Sequence, residues 1–481
     1  MENKKEIVII GSGIAGLSAG ILCLKEGFKV TIIEKNDYSG GKGGKFFQHP
    51  LLKMYPKAII GSNNEYETNR LFDELGIKVS FKNNDILYLY KEKDRELNIY
   101  KDITKLFNEL LEYSEGDESR IIDLINLIKQ GSLYYINSEK PEEMYRFFEY
   151  GKQKKKNNVN DKIIKKYQKI TIKEYFESFN SAIIKCAFSN ILPSYCSMSS
   201  LICYLGYLTN DNIKYINNDL NDELYGKYIE LGGKLLLKKE AKEIAFDRLN
   251  HVSNIVLKDE SKVVGDYFIS AVDPIFTYNT LLKKKYSDRK LFLKINNYFD
   301  YSLNRKFIVC FLMNEELNIN DIILKVNEFG FNTQIFDCLN FKTNGKYLFC
   351  ILNQNKNDYD YLKIILDKPM FFKKICGDLI DLITNTFKLN FPKTKINFVD
   401  IITPIDLEKE YLCYEGYTSG FLDTPKGINF MCDLNVASVN NLFLASSLLS
   451  QNGGITNAMI NGKFSVLKMI RMIKNEKEKN N

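Results

Sequence analysis

The hydrophobic and polar positions near the start of the chain follow the order strand, helix, strand. Uninterrupted apolar runs over 7–10 and 30–33 are typical of buried parallel strands. Between them, the pattern from residue 14 to about residue 26 predicts a helix that ends at Gly27. This order is a βαβ unit, so the fold class is predicted as α/β with a parallel sheet.

Further along the chain, both kinds of periodicity recur. Apolar residues at helical spacing predict helices over 103–130, 371–387 and 454–470. Short alternating or apolar runs predict strands over 234–237, 241–246, 252–257, 307–312, 347–352, 397–402 and 441–445. Residues 182–208 are apolar but broken by Pro193 and Gly206. They predict helices that either line a substrate tunnel or form an ordinary buried core, and the pattern leaves both open.

Composition narrows the class of protein. A chain of 481 residues with 45% hydrophobic residues can form two or three domains with sizeable cores. The net charge of +7 is spread along the chain, which argues against a nucleic-acid-binding protein. The ten cysteines form no C-x-x-C pair, and two histidines disfavour a metal site. A cytoplasmic protein with reduced thiols and no metal is therefore predicted, and no apolar run is long enough to cross a membrane.

One stretch stands out by charge. Residues 152–169 hold eight lysines with few acidic residues between them. The simpler interpretation is a solvated loop and helix. The alternative is a peripheral contact with an anionic membrane surface.

The turn between the first strand and the first helix contains a glycine motif that predicts a binding site. Gly11, Gly13 and Gly16 form G-x-G-x-x-G, with Ile14 and Ala15 inside the motif. Such a turn allows a dinucleotide pyrophosphate to approach the free N–H groups at the start of a helix. Glu34 ends the second strand, where a carboxylate accepts hydrogen bonds from ribose hydroxyls. A secretory signal is disfavoured because glycines interrupt the apolar run and no cleavage site precedes the second strand.

The residues after Glu34 resemble those of a known family. An acid followed six residues later by Gly-Gly and a cation is similar to the E-x5-G-G-[RK] motif of FAD-dependent amine oxidases and phytoene-desaturase-type oxidoreductases. The resemblance implies a Rossmann-like FAD-binding domain. It also implies that the second glycine turn lies along the cofactor, with contacts from Lys35, Gly40, Gly41 and Lys42.

The middle and the end of the chain extend this resemblance to the same family. After a double glycine, the strand at Ala241 corresponds to the one that offers its backbone to the adenine. Near the C-terminus, a short strand precedes a Gly-Gly turn that opens a helix. The resemblance implies cofactor contacts there from Ser446, Ser447, Gly453, Gly454 and Ile455. Two serines stand where the family has glycine and an acid, which predicts weaker FAD binding.

The implied function is an FAD-dependent oxidoreductase that transfers hydride at C–C bonds of a hydrophobic substrate, an isoprenoid or polyene. Desaturation, saturation and isomerisation all stay open, as does the electron acceptor or donor. The alternatives are an amine-oxidase-type enzyme and a non-catalytic binder of a lipidated partner, similar to Rab GDP-dissociation inhibitors. His49 is the one candidate acid or base, although a plain loop residue before Pro50 is the simpler interpretation.

The resemblance also implies a domain arrangement. Residues 1–75, 225–300 and 400–481 are predicted to form a discontinuous FAD-binding domain. Residues 76–224 and 301–399 are predicted to form an inserted α+β substrate domain.

Overall fold

The fold is taken from a computed structural model of the chain. The structure describes residues 4–43, 59–61, 67–79, 81–82, 85–132, 139–152, 165–209, 213–216, 220–427, 431–450 and 453–480.

The described residues contain eighteen strands. They are β1 (Glu6–Ile10), β2 (Lys29–Ile33), β3 (Ile59–Gly61), β4 (Phe81–Lys82), β5 (Ile86–Glu92), β6 (Arg95–Tyr100), β7 (Ile213–Ile216), β8 (Lys234–Leu236), β9 (Ala241–Phe246), β10 (Val252–Leu257), β11 (Lys262–Val264), β12 (Tyr267–Ser270), β13 (Arg305–Met313), β14 (Asp321–Phe331), β15 (Gln334–Asn344), β16 (Tyr347–Gln354), β17 (Ile396–Ile402) and β18 (Leu442–Leu444).

The helices with described bounds are α1 (Ile14–Lys25), α2 (Glu67–Leu75), α3 (Ile103–Glu112), α4 (Glu118–Gly131), α5 (Ile172–Phe176), α6 (Ala182–Ser189), α7 (Met198–Leu208), α8 (Leu220–Glu230), α9 (Pro274–Phe276), α10 (Arg289–Asn296), α11 (Lys356–Leu366), α12 (Pro369–Asn390), α13 (Pro404–Tyr411) and α14 (Gly454–Asn480).

A five-stranded parallel sheet collects strands from distant parts of the chain. Its order is β18-β12-β1-β2-β8, and its four neighbouring pairs are all parallel. All four residues 7–10 of β1 are buried, as a strand covered on both faces requires. This sheet confirms the predicted α/β class with a parallel, Rossmann-like core. Its strands all lie within the segments predicted for the FAD-binding domain.

A second, mostly antiparallel sheet has seven strands in the order β17-β13-β16-β15-β14-β5-β6. Alternate residues of its strands point to opposite faces. One face packs against α11 and α12 through residues such as Phe307, Val309 and Leu339. The other face, called here the inner face, contributes Ile308 and Phe349 to the core of the parallel sheet, and Tyr88 and Ile323 to the core around α5–α7. This sheet therefore contributes to three hydrophobic cores, one on its α11–α12 face and two on its inner face.

The long helix predicted over 103–130 is wrong in one respect, because the structure contains two helices there. Helix α3 ends at Glu112 and α4 begins at Glu118. Glu115 and Gly116 between them have φ values of 45° and 88°, which an α-helix cannot contain. The carboxylate of Asp102 caps the start of α3 by accepting from Thr104 N and Lys105 N, both at 2.8 Å. The apolar spacing correctly predicted helical structure on both sides, and the break lies in a polar turn between the two helices.

Residues 182–208 form the two buried helices α6 and α7. Their apolar side chains, including Ile184, Phe188, Leu201 and Leu205, are fully buried in the core around α5–α7. Among the described residues, no helix is both long enough and apolar enough to cross a bilayer.

Candidate cofactor site

The first glycine turn is shaped by close backbone approaches. Gly11 has φ +96°, and a Cβ at this position would lie 2.8 Å from Val272 Cγ1. A Cβ on Gly16 would overlap Gly11 O, so helix α1 can pack onto the turn only with glycine there. A Cβ on Gly13 would meet nothing within 4 Å. The turn therefore packs tightly against the protein at Gly11 and Gly16. At Gly13, in front of the start of α1, there is open space.

The acid at the end of β2 is tied to this turn. The Glu34 side chain is buried, and its Oε2 accepts from Ser12 N at 2.9 Å and Ser12 Oγ at 2.7 Å. Its Oε1 accepts from Asn36 N at 2.9 Å. These bonds fix the carboxylate beside the glycine turn, where a ribose attached to a bound pyrophosphate would lie.

The second glycine turn packs directly on the first. Gly40 N donates to Ser12 O at 2.9 Å, and Gly40 forms a parallel bridge with Gly13. A Cβ on Gly41 would lie 3.2 Å from Gly13 Cα, so a larger residue would press on the neighbouring backbone. The structure therefore brings together the two turns that the sequence assigned to one cofactor.

Lys42, which follows this turn, contacts the C-terminal part of the chain. Its Nζ donates to Tyr417 O at 3.0 Å and lies 3.5 Å from the centroid of the Tyr417 ring. Burial lowers the pKa of Lys42, with Cys413 and Asp273 acting in the opposite direction. The contact of Lys42 with the diphosphate, implied by the family resemblance, stays a prediction.

Asp273 was not predicted as a site residue, yet it joins this region. Its Oδ1 accepts from Ile275 N at 2.7 Å and Phe276 N at 3.0 Å, and its Oδ2 accepts from Tyr414 N at 3.1 Å. Burial raises the pKa of Asp273. The sequence signal was the Asp-Pro pair after β12, which is a typical helix start. Its link to the 414–417 loop could be found only in three dimensions.

The C-terminal glycine turn meets the same loop. A Cβ on Gly453 would overlap Ser419 O, and Gly454 N donates to that oxygen at 2.9 Å. Gly454 has φ +78°, and a Cβ there would meet nothing within 4 Å. Helix α14 begins here and crosses α1 closely, because a Cβ on Gly462 would lie 2.6 Å from Ala15 O. Helix α14 therefore packs against the start of α1.

The remaining predicted residues lie around these turns. Ala241 is buried in β9, opposite Leu257 of β10. Two residues earlier, the N–H of Lys239 donates to Glu34 O at 2.8 Å, so this segment lies beside the predicted site. Ser446 Oγ accepts from Leu448 N at 3.4 Å. The other predicted members are half-buried or buried at the expected turns: Ile14, Ala15, Lys35, Ser447 and Ile455. His49 lies outside the described residues.

The geometry fits a dinucleotide cofactor. The spaces in front of Gly13 and Gly454 are open, each at the start of a long helix whose first N–H groups lack partners within the helix. The buried Glu34 carboxylate lies beside the first space, and its two oxygens can accept further hydrogen bonds.

Comparison with known proteins agrees with this geometry. Residues 6–163 match the family described as FAD dependent oxidoreductase. Two similar proteins are a phytoene desaturase from Fusarium fujikuroi and a 4,4'-diaponeurosporene oxygenase from Staphylococcus haemolyticus. The first is 23% identical over 316 residues, covering 59% of this chain and 52% of the relative. The second is 21% identical over 531 aligned positions, covering 96% of each. The chain thus spans about half the length of the fungal relative.

Solved structures share the fold. An oxidoreductase from Methanosarcina mazei has a TM-score of 0.59 at 12% identity, covering 97% of this chain and 100% of the other. Putrescine oxidase bound to putrescine has a TM-score of 0.57 at 12% identity, covering 98% and 99%. The chain contains an FAD-dependent oxidoreductase domain, and FAD is its cofactor. The predicted cofactor and family resemblance are confirmed.

Proposed function

We propose that this FAD-dependent oxidoreductase acts on a hydrophobic substrate, an isoprenoid or polyene, at its C–C bonds. The observation that carries the proposal is the set of relatives named for such compounds, a phytoene desaturase and a diaponeurosporene oxygenase.

In this proposal the cofactor supplies hydride transfer when bound. The chain binds and orients both molecules. The backbone N–H groups at the starts of α1 and α14 stabilise negative charge on the cofactor, and Glu34 holds its ribose. Desaturation or saturation of a C–C bond also moves one proton, and His49 stays the candidate acid or base for that proton.

The test is a flavin absorbance spectrum of the purified protein, followed by anaerobic addition of a polyene or of an alkyl amine. Bleaching of the flavin by the polyene, or re-oxidation of reduced flavin by it, supports the proposal. Bleaching by the amine alone supports the amine-oxidase alternative. Protein that neither retains nor rebinds FAD would overturn both enzymatic hypotheses and favour the alternative of a non-catalytic binder of a lipidated partner.

We also propose a peripheral membrane contact near residues 147–169. Phe147 and Phe148 are 86% and 83% exposed, and their rings touch each other edge to face at 5.8 Å. Lys152 follows them and is exposed, and the lysine-rich stretch continues mostly outside the described residues. Exposed aromatics beside basic residues suit an anionic lipid surface, from which a hydrophobic substrate could be drawn.

Vesicle sedimentation tests this contact. The double variant Phe147→Ser/Phe148→Ser is expected to lose binding to vesicles that contain phosphatidylserine. Phe299→Ser, which changes another exposed ring (75% exposed), is the control and should bind as the unchanged protein does. Equal binding by both variants would remove the contact from the proposal.

A further inference from the structure

Two thiols meet where helix α6 packs on the inner face of the seven-stranded sheet. Cys186 of α6 and Cys338 of β15 are in hydrogen-bond contact. Beside them, Asn340 Nδ2 of β15 donates to Asn190 O at the end of α6, at 3.0 Å. Asn190 follows Cys186 by about one helical turn, and Asn340 lies on the same strand face as Cys338. The two contacts therefore lie side by side and hold α6 against β15 with the thiols together.

Two further proton donors lie around the Cys186 sulfur. Lys325 Nζ lies 3.6 Å from Cys186 Sγ, and Lys325 stands directly opposite Cys338 in the pairing of β14 with β15. The Tyr90 hydroxyl of β5 lies beside Cys186, is buried, and has no oxygen or nitrogen partner among the described residues. A sulfur that faces a thiol, an ammonium group and a hydroxyl is stabilised as the thiolate anion.

The two thiols differ in their access to solvent. Cys186 is half-buried, whereas Cys338 is buried. The hydrogen bond to Cys186 and burial raise the pKa of the Cys338 thiol, and Asp337, which pairs with Lys325 at 3.4 Å, acts in the same direction. Cys186 is therefore the thiol that ionises and that a reagent from solvent meets first. Cys338 keeps its proton behind it.

The other cysteines lack this combination. Eight of the ten are buried, and the second half-buried thiol is Cys203 on α7. Burial raises the pKa of Cys203 to about 12, with a smaller contribution from Asp423 in the same direction. An accessible, ionised thiol next to a second thiol is the arrangement that reacts reversibly with oxidants.

We propose that Cys186 and Cys338 form a peroxide-reactive dithiol that closes to a reversible disulfide between α6 and β15. The site is independent of the substrate proposed above. In a cytoplasmic protein such a bond is transient and senses redox conditions. Once formed, it links α6 covalently to the sheet.

The oxidant in this proposal is hydrogen peroxide. The Cys186 thiolate attacks one peroxide oxygen, the O–O bond breaks, and the departing hydroxide takes up the proton that Cys186 had released. Cys186 is then a sulfenic acid. The Cys338 sulfur attacks it, the S–S bond forms and the S–O bond breaks, and the hydroxide leaves with the Cys338 proton as a second water. Two thiols lose two electrons in total, and one peroxide gains them.

The test starts from the reduced, flavin-loaded protein. After brief treatment with hydrogen peroxide, digestion without reductant and mass spectrometry should find a peptide pair joined through Cys186 and Cys338. Dithiothreitol should separate the pair. The melting temperature of the oxidised protein should exceed that of the reduced protein by several degrees, because the bond closes a long loop. Cys186→Ser should show neither the joined peptides nor the rise.

Variants separate the two roles. Cys338→Ala should stop the reaction at a Cys186 sulfenic acid, which dimedone traps. Lys325→Met should slow the oxidation of Cys186 by about tenfold, because the thiolate loses its neighbouring positive charge. Lys262→Met, which changes an exposed lysine of β11, is the control and should react at the unchanged rate. Cys203 is the internal control.

The unchanged protein alone decides the central claim. A dimedone adduct on Cys186 without joined peptides would show that Cys338 does not complete the reaction. Oxidation of Cys186 no faster than that of Cys203 would show that the donors around its sulfur do not activate it. Either result would overturn the proposal, and neither depends on whether a polyene is the substrate.

Discussion

Ser12 donates both its backbone N–H and its hydroxyl to one oxygen of Glu34, at 2.9 and 2.7 Å. The glycine turn and the acid at the end of β2 are thereby one unit, even though 21 residues of helix and strand separate them in the sequence. Any change to the Glu34 carboxylate alters the turn as well.

Glu34→Gln should weaken FAD binding by about tenfold or more, which corresponds to about 1.4 kcal/mol. The amide would set an N–H group against the Ser12 N–H or would offer the ribose one acceptor fewer. Titration of apoprotein with FAD measures the effect. Asp37→Asn, an exposed acid three residues away, carries the same charge change and should bind FAD normally. Equal affinities of the two variants would contradict the assignment of Glu34.

Two glycines of the same turn should behave differently. Gly13→Ala places a Cβ in open space, so the apoprotein should keep its melting temperature while FAD binding is lost. Gly16→Ala forces a Cβ into Gly11 O and should destabilise the fold itself by about 3 kcal/mol. Thermal unfolding of both apoproteins, together with FAD titration, distinguishes them. A Gly13→Ala protein that binds FAD tightly would refute the position of the pyrophosphate.

A buried ion pair should support the loop that carries Tyr417. Arg305 and Glu415 are paired and almost wholly buried, and Lys356 lies 2.8 Å from the same carboxylate. Glu415→Gln should lower the free energy of unfolding by about 3–5 kcal/mol, because it leaves the Arg305 charge unpaired. Urea unfolding is the measurement.

The double variant Arg305→Met/Glu415→Gln should recover most of that loss, since no buried charge of the pair remains. Asp360→Asn removes the exposed partner of Lys356 and should change stability by less than about 0.5 kcal/mol. A Glu415→Gln protein as stable as Asp360→Asn would show that the pair contributes little.

Cys186 should be an unusually reactive thiol. A hydrogen bond from the Cys338 thiol, the largest cause, and the Lys325 ammonium 3.6 Å away lower its pKa below that of an ordinary cysteine, against the opposing effect of burial. Because a lowered pKa forms the thiolate at lower pH, the rate of alkylation by iodoacetamide should reach its plateau at a lower pH than that of an ordinary cysteine.

Mass spectrometry of the alkylated peptides checks this. Cys203, whose pKa is raised to about 12 by burial, is the internal control and should stay unmodified. Lys325→Met should move the midpoint of the Cys186 profile upward. A midpoint near that of an ordinary cysteine in the unchanged protein would disprove the effect.

The parts of the fold that the sequence predicts are those whose signals are local. The run from β1 to Glu34 holds strand, turn, helix and acid in consecutive residues, so periodicity and glycine spacing suffice. The predicted 103–130 helix shows that a local signal can also mislead, because the structure contains two helices there. Gly116 marked the break, but the apolar spacing continued through it.

What the sequence could not predict depends on contacts between distant segments. Asp273 joins the site only because β12 enters the parallel sheet beside β1 and the 414–417 loop folds back over α9. Strand alternation gives the side of the sheet that a residue faces, and only the topology tells what lies there.

The crossing of α1 and α14 has a consequence for the order in which the protein is made. Strand β18 and helix α14 emerge from the ribosome after all the other strands of the parallel sheet. Until then, one edge of that sheet lacks its strand, and α1 lacks the helix that packs at Ala15. We therefore expect cofactor capture to follow the synthesis of α14, and a nascent chain that stalls before Leu442 to present an unfinished, apolar sheet edge to chaperones.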